Sequence, residues 1–181
     1  MKSERIEQQY KDAKELQEYL MKSNEVSYRT YVDDVYKKVL LISVASYFEK
    51  TISLCIRQYA QQALGSDKRI VNLIENKVIE RQYHTFFDWK GKNTNSFWKL
   101  FGEETKSAVI KDLSENENLK QSERDFLEVG NRRNLLVHEN FAEYDINITV
   151  DEIYKKYQSA CIFVSYIKDV LDTSFVTCKK N

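Results

Sequence analysis

The sequence contains no proline and only four glycines among 181 residues. Proline ends or kinks a helix and glycine marks turns and helix ends, so this chain has little to interrupt a helix. Apolar residues also recur at three- and four-residue spacing over long stretches, which is the period of an α-helix. We therefore expect an all-α fold, a bundle of about five to six helices joined by short polar loops.

Apolar spacing and polar breaks predict where these helices lie. The second has the centre VLLISVASYFEKTISLCI, which is apolar nearly all round and should be buried. DWKGKNTN, residues 88–95, is the clearest loop, and we expect the aromatic segment SFWKLFG after it to pack onto the bundle. The predicted helices span residues 2–22, 29–64, 67–86, 103–114, 123–143 and 150–175.

Two short patterns predict helix starts. Ser122 with Asp125 resembles a capping arrangement that would open the helix over 123–143. Thr149 with Glu152 forms a capping box that would open the last helix. No repeat, low-complexity segment or linker is evident, so we expect one domain over residues 1–181.

The composition limits the function. Twenty-eight basic residues balance 28 acidic ones, which argues against a protein that coats duplex nucleic acid but allows a small cationic site. The charged N-terminal segment is not typical of a secretory signal, and no apolar run approaches the about 20 residues that a bilayer needs. We expect a soluble, cytoplasmic protein without a membrane partner. Cys55, Cys161 and Cys178 lack metal-ligand spacing, so we predict reduced thiols, with Cys55 and Cys161 in the core.

The stretch GNRRNLLVHENF, residues 130–141, carries one of only two histidines in the chain. Asn134 and His138 are four residues apart and would lie on the same face of a helix. Arg133 precedes His138 by five residues, about 140° around the axis. The two can act together only if the arginine reaches around the helix, if the helix distorts near its end, or if a second chain contributes.

These side chains suit RNA cleavage by the ribose 2′-hydroxyl. Such a reaction needs a base for the hydroxyl, an acid for the leaving 5′-oxygen and positive charge for the transition state, and it needs no metal. His138 can transfer protons, Arg133 can bind phosphate oxygens and Asn134 can position either. One histidine does not easily serve both ends of the in-line path, whereas two copies across a two-fold axis could.

RNLLVH resembles the R-N-x-x-x-H signature of the HEPN superfamily, all-helical domains many of which are metal-independent endoribonucleases. The order SYFEKTI, NTNSFWKLFG and then this signature is similar to the RiboL-PSP branch and its relatives, over residues 35–170. The resemblance implies that Arg133 and His138 are the catalytic pair, that Asn134 supports them, and that the site forms at a homodimer interface. It implies an RNA substrate, no cofactor or metal, and a bacterial toxin–antitoxin or antiviral setting with an antitoxin or defence-system protein as partner. A toxin branch carries a modifiable tyrosine two residues after the histidine, where this chain has Asn140.

Other readings remain open. The domain could be a non-catalytic helical module that binds RNA, a nucleotide or a protein, or a purely structural dimer. Glu49 either orients Arg133 or His138 from a neighbouring helix or pairs with another cation. Arg132 either binds RNA or is a solvated helix residue. For His84 a surface or packing role is expected, and for FWKLF core packing is favoured over stacking on bases.

Overall fold

The computed structural model describes residues 2–64, 68–80, 82–139 and 141–178, with the side chains of the last helix described up to Asp172. Within these residues the chain forms eight α-helices and one π-helical turn, Glu75–Ile79, and no strand. The helices are α1 (Glu4–Lys22), α2 (Val26–Leu64), α3 (Lys68–Ile74), α4 (Tyr83–Phe86), α5 (Asn95–Lys99), α6 (Glu103–Glu115), α7 (Glu117–His138) and α8 (Val150–Cys178). The predicted all-α fold is confirmed.

Helices α2, α7 and α8 form the centre of the bundle. Each of the three packs against the other two, and α1 covers α2 and α8. Phe48 of α2 brings them together, with ring centroids 5.8 Å from Phe126 of α7 and 6.0 Å from Tyr157 of α8. All three rings are fully buried, so the apolar centre predicted for α2 does lie in the core, and α7 and α8 pack against it there.

Helix α2 is unusually long and apolar. One 18-residue window within Val26–Leu64 has a mean hydropathy of 1.6, enough by length and composition to cross a membrane, so the expectation that no segment reaches that threshold does not hold. Half of that window, 50%, is buried inside the domain. The core helix of a bundle has the same length and composition, and α2 packs against α1, α7 and α8.

The prediction of one continuous helix over 67–86 is wrong. The chain instead forms α3, then the π-helical turn Glu75–Ile79, and then the single turn of α4. Glu80 closes the π turn by donating its N–H to Glu75 O at 2.8 Å, and its own backbone is extended. The Glu75 carboxylate lies 2.7 Å from the Arg57 guanidinium of α2, which fixes the turn to the core helix. The three short helices α3, α4 and α5 account for the count of eight instead of five to six.

Helix α7 begins and ends earlier than the predicted 123–143. Asn116 caps it by accepting the Leu119 N–H at 3.0 Å, while Ser122 and Asp125 lie buried inside the helix and cap nothing. The helix ends at His138 because Glu139 adopts an extended backbone, with ψ 170°. The polar spacing of Ser122 and Asp125 therefore predicted the wrong start.

The capping box of α8 is confirmed. Glu152 accepts the Thr149 N–H at 2.8 Å and the Thr149 hydroxyl at 2.9 Å, and its own N–H donates to that hydroxyl at 3.1 Å. Cys55 and Cys161 are buried free thiols, as expected, and burial raises the pKa of each. The Cys178 side chain lies outside the described residues.

The cap of α7 gives a stability prediction. Asn116→Ala removes the acceptor for the Leu119 N–H and should lower the free energy of unfolding by about 1 kcal/mol. Asn116→Ser keeps a capping oxygen and should stay close to the parent protein. Urea denaturation of the three proteins measures this. An equal loss in both variants would show that the Asn116 side chain does not cap the helix.

Candidate functional site

A cavity of about 450 Å³ opens between α2, α7 and the segment that carries α4. We call it the α7 cavity. All three residues of the R-N-x-x-x-H signature line it, together with polar residues from two other elements. The polar residues of the lining are Glu49, Tyr83, His84, Arg133, Asn134 and His138.

Arg133 and His138 reach this cavity from a single chain. His138 is the last residue of α7 and is exposed, whereas Arg133, more than one turn earlier, is half-buried. The angular separation of about 140° on the helix is overcome because the arginine side chain is long and the helix ends at the histidine. A second chain is not needed to bring the two residues into one cavity.

The Arg133 guanidinium is oriented from two sides. Its Nη1 donates to Asn134 Oδ1 at 3.2 Å, and its Nη2 lies 4.0 Å from Glu49 Oε2 on α2. The Arg133 and Glu49 side chains are 32% and 44% exposed, so solvent weakens this ion pair and its main effect is to orient the arginine. A guanidinium has five N–H donors, and these two partners leave donors for a ligand oxygen.

Tyr83 of α4 adds a buried phenol beside Glu49 and Arg133. Burial raises the pKa of this phenol well above its ordinary value, the Glu49 charge raises it further, and the Arg133 charge partly offsets both. Tyr83 is therefore a neutral hydroxyl at physiological pH, able to donate as well as accept. No spacing in the sequence connects it to the signature.

His84 follows Tyr83 and also lines the cavity. Its side chain is exposed and its backbone oxygen accepts the Trp89 indole N–H at 3.0 Å. Both histidines of the chain therefore line one cavity, and the exposed position of His84 agrees with the surface role that the sequence favoured. The only signal that could have identified it was the scarcity of histidine.

Trp89 forms one wall of the cavity by packing on α7. Its ring centroid lies 5.6 Å from that of Phe126 and 5.5 Å from that of Tyr83. A Cβ atom at Gly130 would lie 2.0 Å from Trp89 Cζ3, so the ring occupies the space that a side chain would take. Gly130 therefore lets the loop after α4 approach the helix that carries Arg133.

The same loop is fixed at its other end by a buried carboxylate. Glu123 of α7 accepts the Thr94 N–H at 2.7 Å and the Thr94 hydroxyl at 2.6 Å. The Trp98 indole N–H donates to Thr94 Oγ1 at 3.0 Å, which completes the network. Thr94 and Trp98 are fully buried and Glu123 is 3% exposed, so each polar group is paired away from water.

Arg132 does not line the α7 cavity. Its Nη2 lies 2.8 Å from Glu128 Oε1, and Lys156 of α8 lies 2.7 Å from the other oxygen of the same carboxylate. Burial works against the charge of Glu128, but the Lys156 and Arg132 contacts prevail and hold its pKa below the ordinary value. Arg132 thus takes part in an ion-pair network between α7 and α8.

Two further sequence expectations meet the structure here. Phe97 and Trp98 of FWKLF are fully buried, so they pack in the core and offer no ring to a base. Asn140, the position at which the toxin branch has a tyrosine, lies outside the described residues. Among the residues that are described, no group of three or more His, Cys, Asp and Glu is placed to hold a metal ion.

A buried lysine fixes the segment that follows His138. Lys38 of α2 is 3% exposed, and its ammonium pairs with Asp34 at 2.7 Å. The same ammonium donates to Ala142 O at 3.4 Å and lies 5.6 Å from the centre of the Phe141 ring. These contacts attach Phe141 and Ala142, which follow α7, to α2.

Comparison with known protein families identifies a match. A sequence model of the family described as RiboL-PSP-HEPN matches residues 7–173, a range that includes every residue lining the α7 cavity. No curated protein and no solved structure matches the chain.

The packing of Trp89 on Gly130 predicts that Gly130→Ala destabilises the protein, which is the opposite of the usual effect of this substitution in a helix. Alanine normally stabilises a helix interior by about 1 kcal/mol over glycine. Gly130→Ala should instead lower the free energy of unfolding by about 1 to 3 kcal/mol, because its Cβ would overlap the Trp89 ring. In a Trp89→Ala background the same change should be stabilising. A double-mutant cycle by urea denaturation measures this, and additive effects would contradict the contact.

Proposed function

The chain belongs to the RiboL-PSP-HEPN family, and from this premise we propose that it is an endoribonuclease that cleaves RNA through attack of the ribose 2′-hydroxyl. The observation that carries the proposal is the meeting of Arg133, Asn134 and His138 in one solvent-open cavity. HEPN domains are often ribonucleases, and a cation beside an exposed imidazole is the chemistry that this cleavage requires.

The proposed reaction transfers one phosphodiester bond. A base takes the proton of the 2′-hydroxyl, and the 2′-oxygen bonds to phosphorus as the bond from phosphorus to the 5′-oxygen breaks. An acid protonates the departing 5′-oxygen, which leaves a 2′,3′-cyclic phosphate and a free 5′-hydroxyl. His138 serves in proton transfer because it is exposed at the cavity and an imidazole can exchange protons near neutral pH.

The other residues stabilise charge and hold geometry. Arg133 donates to the non-bridging phosphate oxygens as negative charge accumulates on them. Asn134 and Glu49 fix the plane of its guanidinium, so little reorganisation is needed during the reaction. Tyr83, neutral at physiological pH, is a further hydroxyl donor in the same lining.

The second proton-transfer group comes from a partner subunit in our proposal. In a two-fold homodimer, the exposed His138 of each chain stands at the end of α7 and can serve a shared phosphodiester with its copy. His84 is the other available imidazole, since it lines the α7 cavity of the same chain. The two arrangements predict different activities when parent and variant subunits are mixed.

The biological setting follows from the family and is likewise proposed. A bacterial toxin–antitoxin or antiviral system would supply an antitoxin or defence-system protein that controls the nuclease in the cytoplasm. The alternative function is a non-catalytic module that binds RNA, a nucleotide or a protein in the same cavity. The cleavage measurement below separates these two functions.

His138→Ala should abolish RNA cleavage because it removes the proton-transfer group, and an unchanged melting temperature should show that the exposed residue leaves the fold intact. EDTA should not reduce the activity of the parent protein, and the products should end in a 2′,3′-cyclic phosphate. Gel analysis of labelled RNA, with phosphatase treatment of the ends, measures both. Full activity in His138→Ala would contradict the nuclease, while RNA binding without cleavage by the parent protein would favour the module.

Arg133 of the signature and its neighbour Arg132 provide a matched pair. Arg133→Ala should lower kcat by about 100-fold or more because it removes the cation beside the phosphate. Arg132→Ala removes the same charge from the neighbouring position, where the guanidinium binds Glu128, and should leave kcat nearly unchanged. Steady-state kinetics on one RNA measures both variants. Equal losses would show that Arg133 has no special place in the reaction.

Subunit mixing locates the second proton-transfer group. With equal amounts of parent and His138→Ala chains allowed to exchange, about one quarter of dimers retain two His138 side chains. If each site needs both, activity should fall to about one quarter of the parent value. If each chain works with its own His84, activity should fall to about one half and His84→Ala should be inactive. The second result would overturn the paired arrangement but not the nuclease.

A further inference from the structure

A second depression, of about 750 Å³, lies beside the α7 cavity and shares the Trp89 wall with it. We call it the basic groove. The loop between α4 and α5, the C-terminal part of α6 and one face of α7 line it. The residues of its lining that matter here are Trp89, Lys90, Lys92, Lys120, Arg124 and Asn131.

The groove follows the axis of α7 toward the proposed active site. Lys120, Arg124 and Asn131 are spaced by four and seven residues, so they lie along one face of the helix. At 1.5 Å per residue, Arg124 is about 14 Å along the axis from Arg133. A chain of phosphates that enters the α7 cavity at one end can therefore continue into the groove past Trp89.

The groove is cationic although the whole chain is neutral. Four of its lining residues are Lys or Arg, and its two carboxylates are already engaged. Glu123 is buried and binds Thr94, while Glu128 binds Lys156 at 2.7 Å and Arg132 at 2.8 Å. The four cations of the lining therefore outnumber its two carboxylates, and Glu128 is itself paired with Lys156 and Arg132.

Other acidic groups near the groove do not neutralise it. Glu117 lies 3.9 Å from Lys120 and 3.8 Å from Arg124, but its side chain is 75% exposed, so solvent screens both pairs. Asp88 uses its Oδ1 to accept the Lys90 backbone N–H at 3.2 Å, a contact that shapes the loop. The lysine ammonium groups of the loop are thus available to an anionic ligand.

We propose that the basic groove binds the single-stranded RNA that flanks the scissile phosphate. Lysine and arginine side chains contact successive phosphates, the Asn131 amide suits a base or sugar, and the aromatic Trp89 separates the flanking strand from the reacting nucleotide. A single strand fits better than a duplex, because the groove runs between the loop, α6 and α7 and continues past Trp89 into the α7 cavity. This inference rests on the proposed nuclease function for its substrate, and its test does not require cleavage.

The test removes two charges from the groove. Lys90→Gln/Lys92→Gln should weaken binding of a radiolabelled single-stranded RNA by about tenfold at low salt and reduce the slope of log affinity against log salt by about 1.4. Lys11→Gln/Lys22→Gln removes the same charge from exposed positions on α1, outside both depressions, and should change neither quantity. All variants carry His138→Ala so that the RNA stays intact, and filter binding measures the affinity. In the cleavage-competent protein, the groove variant should raise KM with little change in kcat.

Each result decides the proposal. Equal affinities for the groove and control variants, or tighter binding of a duplex of the same sequence, would overturn it even if the parent protein cleaves RNA. A selective loss in the groove variant would support it even if no cleavage is found, in which case the nuclease function alone fails. The absence of RNA binding by the His138→Ala protein would overturn the groove as an RNA site.

Discussion

The contact between the Trp89 ring and the bare backbone of Gly130 determines the shape of this surface. It presses the loop after α4 onto α7 one turn before Arg133, and the buried pairing of Thr94 with Glu123 holds the loop at a second point two turns away. Trp89 lines both depressions beside α7, and residues 90–93 of the loop line the second of them. The apolar contact fixes the loop because the ring occupies the space that a side chain at position 130 would take, and the buried contact fixes it through the hydrogen bonds from Thr94 to Glu123.

Sequence patterns predicted the parts of the fold whose causes are local. The Thr149–Glu152 box and the periodic stripe of α8 need only residues within a few turns of one another, and both were correct. The start of α7 was wrong because Ser122 resembles a cap in the sequence, whereas its hydroxyl donates to Leu119 O inside the helix at 2.6 Å. The break between α3 and α4 was missed because no proline or glycine marks it in the sequence.

The residues of the candidate site also differ in whether the sequence could predict them. Arg133, Asn134 and His138 lie within six residues, so their spacing could be recognised directly, and Glu49 could be suggested because it is an acid in an apolar helix. Tyr83, His84 and Trp89 carry no such signal, since they reach the cavity through a single helical turn and a loop whose course is set by packing on α7. Only the structure shows that Gly130 leaves room for the Trp89 ring and so allows this loop to pack beside the cavity.

The positions of the two tryptophans have a practical consequence. Trp98 is fully enclosed and its indole N–H is bound to Thr94, so its emission should respond little to events at the surface. Trp89 forms the partition between the two depressions, where an entering molecule would displace water from the neighbourhood of its ring. The intrinsic fluorescence of Trp89 in the unlabelled protein should therefore report the occupancy of these two depressions in real time, without a dye.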